Sequence, residues 1–294
     1  MKKIAVVGGE KDFNLIRLIT LLSERGLAIK VVLCGDNSFH KFHYDLKSNH
    51  LLLNDQIFDA TAIFMRTDVF QYLDTQNPHD HDLADTWKQV FSAWTLANPE
   101  VKVFNRSLLS APFFQKIYVL DLAHRLGISI PDTYISNSVK DLNLLTDKEK
   151  MIRKPVSGGD YTKELSKFDE TIYTEQVTRS PMICQSLLDY PELRVFKIGK
   201  DFFSFEINST ALDYRESNEA NSMRLIENDL NLVTKLDELN QHLGLDFSAS
   251  DLKFSKKTST FNLLEINTSP MFAGFDRVAN GRLIEAMISF LSET

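Results

Sequence analysis

Leu263-Leu264-Glu265-Ile266-Asn267 is the stretch on which the fold turns: a carboxylate and an amide set between apolar residues. Upstream lies a second run of strand composition, Phe247 to Phe254, and the polar residues Lys256 to Ser259 join the two. Such a pair reads as a hairpin. With the turn centred on Thr258, the register pairs Ser255 with Phe261 and Asp251 with Glu265. Asn267, two residues further, shares the face of Glu265. Three oxygen donors then converge, which suits a hard cation such as Mg²⁺. The alternative is a pair of solvated carboxylates at a strand end. The apolar run around Glu265 weighs against it, and no adjacent Lys or Arg in the sequence compensates a buried charge.

Working outward, Arg153-Lys154-Pro155-Val156-Ser157-Gly158-Gly159 has a strand delivering a lysine to a loop whose backbone can approach an anion. A plain turn gives the same residues, and the pattern is not a P-loop. Gln185 to Gly199 forms an apolar extended segment, a linker, and then Glu192-Leu193-Arg194 opening a strand. Free backbone groups in such a linker can read an adenine edge, and a carboxylate can accept ribose hydroxyls.

The first hundred residues alternate differently. Ile4 to Val7, Ile29 to Leu33, Ala62 to Met65 and Val101 to Phe104 read as short buried strands. A helix with Phe13, Ile16, Ile19 and Leu22 along one stripe, closed at Gly26, lies between the first two. Another starts near Asp82, carrying Leu83, Trp87, Val90, Phe91 and Trp94. This predicts a small parallel sheet. The turn Gly8-Gly9-Glu10 is not GxGxxG, so a dinucleotide site is not expected. A helix over Phe114 to Leu126, burying Ile117, Leu120 and Leu126, ends at Gly127. From Lys150 the pattern is mainly extended, with strands expected at 151–156, 171–177, 182–188, 193–198 and 202–207. A long helix, 229–243, and a final one, 282–291, interrupt it.

Composition sets outer bounds. The 294 residues carry 33 Lys+Arg against 40 Asp+Glu, a net charge of −7, which argues against sequence-independent nucleic-acid binding. Neither a secretory apolar run nor about 18 consecutive apolar residues occurs, so no membrane partner and a cytoplasmic location are expected. Cys34 and Cys184 read as buried, reduced thiols, and His79-Asp80-His81 as a hydrated loop rather than a metal site.

The order of these features, a lysine with its Gly loop, an extended linker, a Glu-x-Arg strand, then Asp251 with Leu-Glu-Ile-Asn, resembles the ATP-grasp fold over residues 105–294. Phe104-Asn105-Arg106, Lys116, and Leu126-Gly127 leading to Pro131 resemble the segment that enters it. The resemblance implies an α/β plus α+β architecture: a pre-ATP-grasp domain at 1–110, a central lid subdomain at 111–187 and a C-terminal subdomain at 188–294. It makes Lys116 and Lys154 phosphate contacts, and Ser157, Gly158 and Gly159 a mobile lid. Gln185, where many members carry Glu, and Leu187 become the adenine hinge, with Glu192 on the ribose. Asp251, Glu265 and Asn267 would hold Mg²⁺. Arg194, Arg215 and Arg224 would serve the transferring phosphoryl group or the acceptor, the surface being the alternative for the last two. Lys116, Lys154, Arg194 and Arg215 should then form one basic cleft.

Two branches are similar. Glu265 to Pro270 resembles ribosomal-protein glutamate ligases and their amino-acid ligase relatives. Lys154 to Gly159, Ile172 to Thr174 and Asp213-Tyr214-Arg215 resemble the graspetide (microviridin-type) macrocyclases. The implied activity is an ATP- and Mg²⁺-dependent ligase that makes an acyl phosphate and condenses it with an amine or hydroxyl. Its substrate would be a peptide or amino acid, and a homo-oligomer is compatible with it. A non-catalytic ATP-binding module, a small-molecule amino-acid ligase and a kinase-like phosphotransferase are the alternatives. Arg66, ending the third strand, reads either as an acceptor contact or as a domain-interface salt bridge.

Overall fold

The computed structural model describes residues 3–35, 39–66, 78–110, 115–148, 150–156, 162–168, 176–208 and 222–293. Chain order begins β1 (Lys3–Gly9), α1 (Phe13–Glu24), β2 (Ala28–Cys34), β3 (Phe42–Asp45), β4 (His50–Leu53), β5 (Gln56–Ile57), β6 (Ala62–Met65), α2 (Pro78–Ala97) and β7 (Lys102–Val103). The expected parallel sheet forms in the order β2-β1-β6-β7. Its centre, Ile4 to Val7, is almost completely buried.

Helix α1 is capped by Asp12, whose side chain accepts from the Asn14 N–H, and Gly26 follows it at φ +65°. Of the expected stripe, Leu22 is buried and Ile19 partly so, but Phe13 and Ile16 are exposed, and Leu15 and Leu18 are buried with Leu22 instead. Nearly every second residue of the helix is apolar, so periodicity alone left its rotation open. Helix α2 starts at Pro78 instead of near Asp82, proline being well suited to a first helical position, so His79-Asp80-His81 is helical rather than the loop expected. The small antiparallel sheet β3-β4-β5 was not anticipated.

Next come α3 (Lys116–Arg125), β8 (Thr133–Ser138), α4 (Val139–Lys148), β9 (Met151–Pro155), β10 (Lys163–Glu164) and β11 (Val177–Ser186). Helix α3 buries Val119, Leu120, Leu122 and Ala123, while Ile117 and Leu126 are only half-buried. The strands form an antiparallel sheet, β10-β9-β11-β8, over a small core of Leu142, Leu145, Met151, Leu165 and Cys184. Most of the strand expected at 171–177 lies outside the described residues.

The last part holds β12 (Asp189–Ile198), β13 (Asp201–Asn208), β14 (Ser222–Ile226), α5 (Leu230–His242), β15 (Phe247–Ser255), β16 (Thr260–Asn267), α6 (Ala273–Val278) and α7 (Arg282–Ser292). Its five-stranded antiparallel sheet runs β14-β13-β12-β15-β16. One apolar core joins this sheet and α7 to the first sheet: Phe64 meets Phe104, Phe247 and Phe272 edge-on, and Phe104 stacks on Phe290 at 4.1 Å. Among the described residues, no helix is long and apolar enough to cross a membrane.

Candidate active site

Three neighbouring strands put Arg194, Asp251 and Glu265 in one row, because Arg194 pairs with Asp251 and Asp251 with Glu265. The second pairing is the one expected, but the hairpin end is not: Ser255 faces Thr260 and Phe254 faces Phe261. A bulge between Asp251 and Leu252 absorbs the difference, and Ser259 at φ 54° tightens the turn. Strand alternation brings Asn267 to the same face, its Nδ2 donating to Asp251 Oδ2 at 2.7 Å and lying 3.4 Å from Glu265 Oε1.

The carboxylates have cationic partners, though, as expected, none adjacent in sequence. Arg194 Nε stands 3.1 Å from Asp251 Oδ1, and Lys116 Nζ donates to Glu265 Oε2 at 3.1 Å. Sheet pairing supplies one and the start of α3 the other. Lys154, at the end of β9, reaches the Leu264 carbonyl at 3.4 Å. Glu192, two residues before Arg194 and so on its face, pairs with Lys253 at 2.8 Å, and Lys253 lies over the Tyr190 ring.

Arg194, Asp251, Glu265, Asn267, Lys116, Lys154 and Glu192 line one cavity of about 750 Å³, bounded on its other side by the carboxyl end of the first sheet at Met65 and Arg66. Its described walls carry five cationic side chains (Arg66, Lys88, Lys116, Lys154, Arg194) against three carboxylates (Glu192, Asp251, Glu265). That is a locally basic cleft on an acidic molecule, able to take an anion.

Gln185 and Leu187 stand at the end of β11 and are not among the described residues of the cavity wall. Gln185 is fully buried, and its Nε2 donates to Thr133 Oγ1 at 3.1 Å. The Thr133 hydroxyl in turn donates to the Pro131 carbonyl, so the Gln185 amide orientation is set. Its Oε1 is left without a hydrogen-bond donor among the described residues. The neighbouring Cys184 thiol is pushed up to about 11 by burial, with Arg153 opposing.

Arg224 is not brought to the cavity: it lies on β14, mostly exposed, bonded to Glu206 at 2.9 Å on the adjoining strand. Ser157, Gly158, Gly159 and Arg215 lie outside the described residues, as does the Asp213-Tyr214-Arg215 motif. Arg66 forms a salt bridge, its Nε 2.8 Å from Asp12 Oδ2 with both side chains buried, but both partners fall within 1–110, so it is not the domain-interface bridge expected; Arg66 also lines the cavity. Asp12, Asn14 and Lys253 do not stand out as site residues in the sequence. Asp12 carried a helix-cap signal, whereas Lys253 depends on the β12 to β15 pairing, which no local pattern announces.

Neither a protein-family model nor a curated protein matches the chain. Solved structures do match. The ATP-grasp ligase PsnB, complexed with a minimal precursor, superposes with a TM-score of 0.78 at 21% identity over 99% of each chain. The macrocyclase MdnC of Microcystis aeruginosa MRC, bound with precursor peptide MdnA, gives 0.76 at 18% identity over 100% of each. The VanG D-Ala:D-Ser ligase of Enterococcus faecalis gives 0.60 at 15% identity over 99% of each. The fold is therefore ATP-grasp.

Proposed function

We propose that this chain is an ATP- and Mg²⁺-dependent ligase that activates a carboxylate as an acyl phosphate and condenses it with an amine or hydroxyl on a peptide. The observation that carries the reading is the row Arg194, Asp251, Glu265 with Asn267 beside it and Lys116 and Lys154 across the same cavity. Precursor peptides in the PsnB and MdnC complexes favour a peptide over a free amino acid as substrate. An enzyme of this kind works where ATP is abundant, in the cytoplasm.

The residues present suit both groups. Two carboxylates and an amide oxygen are donors of the type Mg²⁺ takes, with Asn267 turning its amide to offer Oδ1. Bound there, Mg²⁺ supplies positive charge against the phosphate oxygens. Lys116 and Lys154 add charge on the same side, Arg194 orients Asp251, and Glu192 is available to ribose hydroxyls. The orphaned Gln185 acceptor suits an exocyclic amine such as that of adenine, with Leu187 completing the hinge.

The assignments of Ser157, Gly158 and Gly159 to a lid and of Arg215 to the acceptor rest on the family resemblance alone. So does the division into 1–110, 111–187 and 188–294. Water exclusion by the lid protects an acyl phosphate from hydrolysis. In the overall reaction ATP and the carboxylate give ADP and the acyl phosphate. The amine or hydroxyl then displaces phosphate and releases a proton.

Incubation with ATP, Mg²⁺ and peptides rich in Thr, Ser, Asp, Glu or Lys should release ADP and phosphate only when an acceptor is present. Asp251→Asn or Glu265→Gln should cut turnover by about 10²-fold or more with melting unchanged. Release of AMP and pyrophosphate, or full activity in either variant, would overturn the reading. ATP binding without consumption would favour a non-catalytic module.

A further inference from the structure

Behind the ligand strand lies a set of buried polar side chains that the proposed chemistry does not use. Asp12 and Asn14 are fully buried at the start of α1, Arg66 is 4% exposed at the end of β6, and Asn105 is 8% exposed after β7. All four belong to the first hundred-odd residues, yet three of them bond the segment following Asn267. The Asn105 amide donates to the Thr268 carbonyl at 3.1 Å and the Phe247 carbonyl at 2.7 Å. Arg66 Nη1 donates to the Ser269 carbonyl at 3.2 Å and the Pro270 carbonyl at 2.7 Å. Asn14 Oδ1 accepts from the Phe272 and Ala273 N–H groups, both at 2.8 Å. Asp12 holds the set together: one oxygen takes Arg66 Nε, and the other takes both the backbone and side-chain nitrogens of Asn14, each at 2.8 Å.

Five backbone groups between Thr268 and Ala273 are thus fixed by three side chains from another part of the chain. A backbone bond could have been met locally by a turn. Bringing a buried ion pair to it is costly unless the geometry is needed. The segment begins immediately after Asn267, so whatever fixes it also fixes where β16 ends.

We propose that Arg66, oriented by Asp12, is a positioning residue for the Glu265 and Asn267 ligand strand, so that the first domain sets the cation affinity of the nucleotide site. The inference rests on the function proposed above. It predicts that disturbing the clamp weakens the metal more than the nucleotide: Arg66 lines the same cavity as the lysines, but its charge is matched by Asp12 at 2.8 Å and its Nη1 bonds go to the segment after Asn267, so replacing both members of the pair leaves the net charge facing a nucleotide unchanged. Outer partners of metal ligands commonly change metal affinity by about 10–100-fold.

The experiment uses the full chain, with ADP, Mg²⁺ and Mn²⁺ as probes. ADP binding is measured calorimetrically without metal, and Mn²⁺ binding to the ADP complex by paramagnetic resonance. The variants are Arg66→Lys and the double replacement Asp12→Asn with Arg66→Met, which removes both charges and leaves none buried alone. The double variant should lose about tenfold in Mn²⁺ affinity while metal-free ADP affinity stays within about twofold, and Arg66→Lys should fall between. Equal losses for ADP and Mn²⁺, or no loss of Mn²⁺ affinity in a folded variant, would overturn the inference alone. If the double variant does not fold, Arg66→Lys decides by the same criterion. A wild-type chain that binds neither ADP nor Mn²⁺ would overturn the function as well.

Discussion

Lys116 and Glu265, 3.1 Å apart and each partly exposed, form a pair of the kind that contributes about 0–1 kcal/mol to stability. Its interest is therefore chemical: a cation already rests on a candidate metal ligand, and a bound cation and phosphate could replace each partner's counter-charge. Glu192 and Lys253 stand in the same relation one step along the sheet, more deeply buried. The two thiols carry no such meaning. Both are buried, and burial raises Cys184 to about 11. Thiolate is the reactive form, so at pH 8 Cys184 should be almost inert. In a titration with a chromogenic disulfide, neither thiol should react before denaturant is added; prompt modification of Cys184 would contradict its burial.

At the scale of elements, β9, β11, β12, β13, β15 and β16 and the helices α5 and α7 were legible because each has its own period and breaker, whereas β8, α4, β10 and β14 were not anticipated. Asp229 caps α5, and Gly244 follows its end at φ +65°. What was not legible depended on partners far along the chain. The rotation of α1 is set by the sheet beneath it, and the bulge that keeps Asp251 opposite Glu265 is set by a tight turn and by β12. The site followed the same division: the proposed ligand trio could be read from one hairpin, whereas Arg194 with Asp251 required the assembled sheet and Lys116 with Glu265 the placement of α3 beside β16. Gly8 illustrates the point. Its neighbourhood looked like a failed dinucleotide turn, but a Cβ there would lie 2.5 Å from Leu15 Cδ1 and 2.8 Å from the Arg66 carbonyl oxygen. Glycine is needed so that α1 and the end of β6 can close on β1. Gly8→Ala should cost about 1–3 kcal/mol, measured by denaturant unfolding; an unchanged midpoint would show that the helix yields freely.

For the whole molecule, the cores are divided unevenly. The first sheet and the C-terminal sheet share a continuous apolar interior through Phe64, Phe104, Phe247, Phe272 and Phe290, so they should unfold together. The middle sheet rests on its own small cluster, Leu142, Leu145, Met151, Leu165 and Cys184. Regions with few buried apolar contacts open at lower free energy than the global transition. Strand β11 is interior to its sheet, flanked by β9 and β8, and Met182 to Gln185 are paired on both sides, as β12 is between β13 and β15. In native-state hydrogen exchange β11 should nevertheless exchange through a lower-energy opening than β12 or β15. Because β9 carries Lys154 and β11 carries Gln185, ADP with Mg²⁺ should slow exchange in both strands. Equal protection of β11 and β12 in the free chain would mean that the middle sheet does not open by itself. The proposed nucleotide cleft would then have to admit its ligand without that movement.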